Sequence, residues 1–407
     1  MMDIQTREAA VLWQTYARPP VEFVRGEGVR LWDVHGRSYL DFLGGIAVVA
    51  AGHAHPKVVA AVAGQLATLG HTSNLYFTGP QVDLAERLVD RFGGGAKVFF
   101  SNSGAEAVEA AIKLARRWGR ANRGEQAVGI VAAEGGFHGR TLGALAATGK
   151  PAIKQAFEPL PPGFRHVPFG DADALRAAIG TETAAVLLEP IQGEAGIRVP
   201  PDGYLEAARE ITSQAGVLLM LDEIQSGMGR TGRFFAHQHA GIRPDVVTMA
   251  KALGSGFPIG ATLAVDQVAA AMRPGDHGTT FGGNPVACAA ALATLDVIEP
   301  LLDGHVAKMS RRLGDGLRRL RDRIGPDAEL RGAGLWFGLD LGPRDPGDTG
   351  AQGARDVAAA ALSRGLVVNP VTDTALRIAP PLVIEEADID EGLLRLGGAL
   401  EGVGACR

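Results

Sequence analysis

VLLMLDEIQSGMGRTG, residues 217–232, and DVVTMAKALGSGFPIGA, residues 245–261, together decide how this chain is read. Val217 to Leu221 is an unbroken apolar run, the pattern of a strand buried on both faces, and it ends on two carboxylates, Asp222 and Glu223. A second apolar run, Val246 to Met249, leads to Lys251 and a glycine-rich loop. A carboxylate at the tip of a buried strand is costly unless a cation or strong donor meets it. Glycines beside Lys251 let something large approach the backbone. Two readings follow. In one, Asp222 and Lys251 pair with each other or face solvent. In the other, a cofactor places a cationic ring nitrogen against Asp222 while Lys251 holds its aldehyde covalently.

Outward from this stretch, residues 128–260 alternate apolar runs with helices or polar loops. VGIVAAE precedes GGFHGRTLGA, AAVLLEP precedes IQGEAGI, and the helix DGYLEAAREITSQAG precedes 217–221. Such alternation predicts a mostly parallel, doubly wound sheet, with ligands held beyond the carboxyl ends of its strands. Polar residues fall at those ends: Phe137 to Arg140, Glu189 with Gln192 and Glu194, Asp222 to Gln225, and Lys251. Upstream, 97–120 reads as strand KVFF, turn SNSG and helix AEAVEAAIKLARRWGR. Ser103 with Glu106 fits a capping box, and Glu109 with Lys113 is spaced for a helical ion pair. A strand, a glycine turn and a helix N-terminus also make a phosphate site, from free N–H groups and the positive end of the helix dipole. Gly143 to Lys150 ends in Gly-Lys, but Pro151 stands where a P-loop needs Ser or Thr, and the spacing is one too long.

The ends of the chain have a different texture. Residues 21–45 alternate and turn at Glu27-Gly28 and His35-Gly36 as strands do, and Pro56 opens a helical pattern. His53 and His55 lack the further ligands that a metal requires. Asn284-Pro285 is an N-cap followed by proline at the first helical position. Beyond residue 300, a basic helix and short strands predict a smaller α+β unit. The expected divisions are a segment 1–50 packed with that unit, a large domain 51–300, and a small domain 301–407. Arg377 closes a short strand, and either a surface position or a cleft suits it.

With 407 residues, 46% apolar and 21% charged, the composition is that of a globular protein. A net charge of −5 predicts neither a nucleic-acid nor an anionic-lipid partner. Two cysteines build neither a disulfide framework nor a multi-cysteine metal site. An N-terminus with early acids and no apolar core, and no uninterrupted apolar window of spanning length, give cytoplasmic localisation as the expectation.

SNSGAEAVEAAIKLAR, FHGRT, EPIQGEAG, LDEIQSGMGRTG, AKALGSGFPIGA, HGTTFGGNP and LRIAPPL occur in that order over nearly the whole chain. In these blocks the sequence resembles the class-III pyridoxal-phosphate aminotransferases. One departure is Gly79, where an acidic residue commonly precedes the proline near the substrate entrance. The resemblance implies the α/β fold of type-I pyridoxal-phosphate enzymes, with a large, mostly parallel, doubly wound domain and a smaller α+β domain. It implies that Lys251 holds the aldehyde and carries the proton, that Asp222 meets the ring nitrogen, and that Gln225 bonds the ring hydroxyl. Phe137 would stack on the ring. The turn at Ser103, through the Gly104 and Ala105 N–H groups, would bind the phosphate, joined by Thr280 of a second subunit. Arg140 with Thr279 would hold the donor carboxylate. Arg377 would hold that of glutamate or 2-oxoglutarate, and Glu194 would neutralise Arg377 for other donors. The implied partners are a small amine donor, 2-oxoglutarate and a second copy of the chain sharing active sites. The implied reaction moves the δ-amino group of N-acetylornithine to 2-oxoglutarate, a step of arginine biosynthesis. Ornithine, succinylornithine, 4-aminobutyrate and a lysine-pathway amine are the alternative donors. A mutase or decarboxylase on the same scaffold is a further alternative. A pyridoxal-phosphate-sensing regulator would need a DNA-binding module for which the chain has neither length nor basic patch.

Overall fold

The two apolar runs at 217–221 and 246–249 become neighbouring strands at the centre of a seven-stranded sheet. The structure is a computed structural model and describes residues 3–343 and 353–406. Its strands are β1 Phe23–Glu27, β2 Arg30–Asp33, β3 Ser38–Asp41, β4 Ala96–Ser101, β5 Gly129–Ala133, β6 Phe164–Val167, β7 Thr183–Leu188, β8 Leu218–Asp222, β9 Val246–Met249, β10 Gly260–Val265, β11 Glu329–Ala333, β12 Trp336–Asp340, β13 Leu366–Val367, β14 Asn369–Pro370 and β15 Ala375–Ile378. The large sheet has the order β4-β10-β9-β8-β7-β5-β6, parallel throughout except that β10 runs antiparallel to both neighbours. β6 and β10 were not anticipated from the sequence, and the expected loop 135–144 gives way to a helix at Leu142–Ala147.

Every residue of β7, β8 and β9 is buried. A buried Leu or Val contributes roughly 1.5–3 kcal/mol, so Leu218, Leu219 and Leu221 together offset the cost of carrying Asp222 inward at the strand tip. Helix Gly104–Arg123 packs across the sheet against β4, β7, β9 and β10. Helix Pro285–Ile298 starts as the sequence predicts: Asn284 Oδ1 accepts from Ala287 N–H at 2.9 Å, with proline in the first turn. The window Pro285–Leu302 is apolar enough to cross a membrane, with a mean hydropathy of 1.6. Its apolarity is used inside the fold, where this helix packs against Pro56–Thr68 and Gly79–Arg91.

A second sheet, β1-β2-β3-β13, joins the N-terminal meander to a C-terminal strand, since β13 pairs parallel with β3. The third sheet, β11-β12-β15-β14, carries Arg377 on β15. Ala379 N–H donates to Phe42 O at 2.7 Å and Leu382 N–H to Ala50 O at 2.8 Å, so the segment after β15 is tied to the first fifty residues.

Candidate active site

The parallel register of β8 and β9 sets Asp222 opposite Thr248, three residues before Lys251. Carboxylate and lysine therefore leave the sheet at the same edge, and both line a cavity of about 420 Å³. Lys251 has φ +46°, a left-handed conformation rare for a side-chain-bearing residue and typical of functional sites. Desolvation of its side chain drops the ammonium pKa to about 8. Asp222 is 4% exposed. It accepts from Ile224 N–H at 3.1 Å, and its other oxygen lies 2.8 Å from His138 Nδ1. Burial pulls the His138 pKa down, but the bond and charge of Asp222 raise it further, so the net direction is upward. The adjacent Glu223 turns the other way. It accepts from the backbone N–H groups of Ala236 and His237, at 2.6 and 2.9 Å, and serves the scaffold.

The N-terminus of helix Gly104–Arg123 opens on the same cavity through Ser103, Gly104 and Ala105. Ser103 caps it by accepting from Glu106 N–H at 3.2 Å. The return arm of the expected capping box is displaced by one residue, because the Glu106 carboxylate takes Asn102 N–H at 2.6 Å. Gly104 has no room for a side chain, since a Cβ there would lie 2.8 Å from Ile224 Cδ1. The expected Glu109–Lys113 pair does not form. Glu109 instead accepts from Thr141 Oγ1 and from Gly143 and Ala144 N–H, capping the next helix, and Lys113 reaches Asp276 O and His277.

Behind the cavity-lining Gln225, Arg377 is 2% exposed, which rules out its reading as a surface residue. β12 on one side and β14 on the other enclose it. It forms an ion pair with Glu194, donates to Gln225 Oε1 at 3.1 Å and donates to Asn369 Oδ1 at 2.7 Å, while its Nε has no partner among the described residues. Burial alone would raise the Glu194 pKa, but the charge and hydrogen bond of Arg377 reverse it, so Glu194 is held as a carboxylate. Gln225 Nε2 lies 3.4 Å from Glu194, a long contact that links the Asp222 end to Arg377. Phe137 lines the cavity, with Arg140 exposed 5.7 Å from its ring centroid. Glu189, buried at the end of β7, fixes Phe137 N–H at 2.9 Å and Gly193 N–H at 3.1 Å. Desolvation carries its pKa up to about 7. Thr279 and Thr280 line a separate groove with Asn74 and Gln81, although Thr279 Oγ1 accepts from the cavity-lining Asn102 at 3.3 Å. His53 pairs with Asp41 at 2.7 Å and His55 caps a helix. Among the described residues no group of three His, Cys, Asp or Glu side chains could hold a metal.

Sequence reasoning placed His138 and Glu189 at the ligand-bearing strand ends without giving either a role, and it missed Asn369. His138 stands inside FHGRT, but nothing local signals that it meets an aspartate 84 positions away.

This constellation fits pyridoxal phosphate. Free helix N–H groups suit a phosphate dianion, a buried carboxylate suits a protonated pyridine, and a desolvated amine suits an aldehyde. Fold and site thus define an aminotransferase that uses pyridoxal phosphate as cofactor. Residues 13–400 match the aminotransferase class-III family, and the chain belongs to it. It is 50% identical to the acetylornithine aminotransferase of Streptomyces coelicolor over 404 residues, covering 98% of this chain and 95% of that protein. Among solved structures, the acetylornithine aminotransferase of Stenotrophomonas maltophilia superposes with a TM-score of 0.83 at 37% identity, covering 99% of this chain and all of that one. The ornithine aminotransferase of Toxoplasma gondii superposes with a TM-score of 0.91 at 33% identity, covering 98% of this chain and 94% of that one. The chain accordingly transfers an amino group between an amine donor and 2-oxoglutarate.

Proposed function

We propose that the donor is N-acetylornithine, whose δ-amino group passes to 2-oxoglutarate to give the semialdehyde and glutamate. The observation that carries this reading is the Glu194–Arg377 ion pair. A buried guanidinium that already has a carboxylate partner suits a donor with a single carboxylate, and release of that partner readies it for a dicarboxylic acceptor. The acetylornithine aminotransferases at 50% identity support the same donor.

When bound, pyridoxal phosphate supplies an aldehyde carbon and an electron-withdrawing ring. The Gly104 and Ala105 N–H groups with Ser103 take the phosphate. Asp222, oriented by His138, keeps the ring nitrogen charged. Phe137, positioned through its N–H by Glu189, covers the ring face, and Gln225 has one N–H left for the ring hydroxyl. Lys251 would hold the aldehyde, and its Nζ would carry the proton that the transfer moves. Arg140 with Thr279 binds the donor's carboxylate, and Arg377 that of glutamate or 2-oxoglutarate. Thr280 lines a groove separate from the Lys251 cavity of its own chain, which favours a homodimer in which Thr280 completes the partner's phosphate site. Exposed Leu75, Tyr76, Phe77 and Phe281 near this groove offer apolar area for that contact.

A screen of single half-reactions tests the donor, following loss of cofactor absorbance with acetylornithine, ornithine, succinylornithine, 4-aminobutyrate and glutamate. Acetylornithine should show the highest kcat/KM among the terminal amines. Faster turnover of ornithine or 4-aminobutyrate overturns the choice.

A further inference from the structure

The Gly149-Lys150 step, a P-loop lookalike in sequence, has no part in the roles above. Lys150 Nζ donates to the backbone carbonyl of Glu194, the residue whose carboxylate covers Arg377. The lysine is delivered with little freedom. Gly149 N–H donates to Gly136 O at 2.9 Å, and Gly135 N–H donates to Gly149 O at 2.8 Å. A Cβ on Gly149 would fall 2.1 Å from Ala133 O, so only glycine lets the chain lie this close to the end of β5.

The segment that Lys150 reaches is a hairpin closed by paired backbone hydrogen bonds between Gln192 and Arg198, both 2.9 Å. Gln192 Nε2 adds a bond to Glu134 O at 2.8 Å. Between these ties, the tip is held through its main chain by the Gly193 N–H on Glu189 and by Lys150 on the Glu194 carbonyl. Gly196 and Ile197 both have positive φ, a tight turn beside the tip. Lys150 is half-buried, so its hydrogen bond competes less with water than a surface lysine's would. Desolvation lowers its pKa, opposed by the carboxylates of Glu194 and Glu189.

We propose that Lys150 is a specificity-setting positioning residue: it latches the 192–198 hairpin so that Glu194 stays on Arg377, and loosening the latch favours substrates with two carboxylates. This rests on the reading of Glu194 and Arg377 as the switch between donor and acceptor, and the test separates the two claims.

Lys150→Met removes donor and charge at similar length, Lys150→Arg keeps both, and Glu194→Ala removes the switch itself. In each holoenzyme, kcat/KM is measured for the glutamate and acetylornithine half-reactions, with hydrogen–deuterium exchange across residues 190–198. Lys150→Met should raise the glutamate-to-acetylornithine ratio roughly fivefold, the effect of losing one ordinary hydrogen bond. It should also speed exchange at the hairpin tip, and Lys150→Arg should restore most of both. Should Lys150→Met fail to fold, Lys150→Gln is read in the same way. A Lys150→Met ratio and exchange equal to wild type, with Glu194→Ala shifting the ratio, overturns the latch and leaves the switch standing. A ratio unmoved in both variants overturns latch and switch together. Equal loss in both half-reactions makes Lys150 an ordinary support of the fold and also overturns the proposal.

Discussion

The two halves of the site, joined through Gln225, are built on different principles. The Asp222–Lys251 end rests on the tips of adjacent buried strands and the start of a twenty-residue helix, all from one chain. At the Arg377 end, a buried guanidinium meets side chains from a hairpin (Glu194), a two-residue strand (Asn369) and the segment after β8 (Gln225). A rigid end can pre-set charge for one chemistry. An end built largely on loops can rearrange between two substrates of unlike charge. The contrast teaches that catalysis and selectivity should respond separately to substitution.

The largest expected effect falls at the rigid end. Lys251→Ala should lower turnover on both substrates by ~10³-fold or more, the range of a lost acid–base group, while dialysis still finds cofactor bound. Unequal loss on the two substrates would break the proposed division. Asp222→Asn should follow. Removing one partner from a buried charge pair costs ~3–5 kcal/mol, at least about a hundredfold if it falls on the barrier, again on both half-reactions. Near-wild-type turnover with cofactor bound would contradict the pairing with the ring nitrogen.

Arg377→Leu should instead divide the substrates. The glutamate half-reaction should fall by about thirtyfold or more, since truncating a buried charge partner costs ~2–5 kcal/mol, and the acetylornithine half-reaction should change little. Stopped-flow spectroscopy of each half-reaction reads the split, and equal losses would place Arg377 with the scaffold. The mildest effect concerns pH. Lys251 lies near 8 against an ordinary 10.5, so capture of cofactor aldehyde by the apoprotein should accelerate as pH rises and level off above about 8. In that apoprotein the unfolded chain binds the extra proton between about 8 and 10.5, so the Lys251 contribution to stability rises with pH through this window. The raised Glu189 acts oppositely: from 4.5 to about 7 the folded state holds the proton, and its contribution falls as pH rises. A capture midpoint near 10 would show that Lys251 is not desolvated.

Legibility in the sequence follows the same division. Buried strands and their terminal charges could be read because apolar runs and capping residues are local signals: 217–221, 246–249 and Asn284-Pro285 each became the expected element. β10 could not, because GATLAV continues a glycine-rich loop, and its antiparallel place between β4 and β9 is set by tertiary pairing. The end of β8 illustrates a second limit: of the adjacent acids Asp222 and Glu223, one faces the cavity and the other caps a turn, because successive residues of a strand end leave on opposite sides. The burial of Arg377 depends on β12 and β14, and the partner of His138 on a strand 84 residues away. Glu109 passed over the helical neighbour Lys113 because the free N–H groups of the next helix are the stronger partners.

The most direct test of the Lys251 assignment is reduction of the purified holoenzyme with borohydride, followed by peptide mapping. The expected result is a yellow protein whose cofactor becomes fixed by a carbon–nitrogen bond to Lys251 alone. A label on any other lysine, or none with cofactor present, would contradict it.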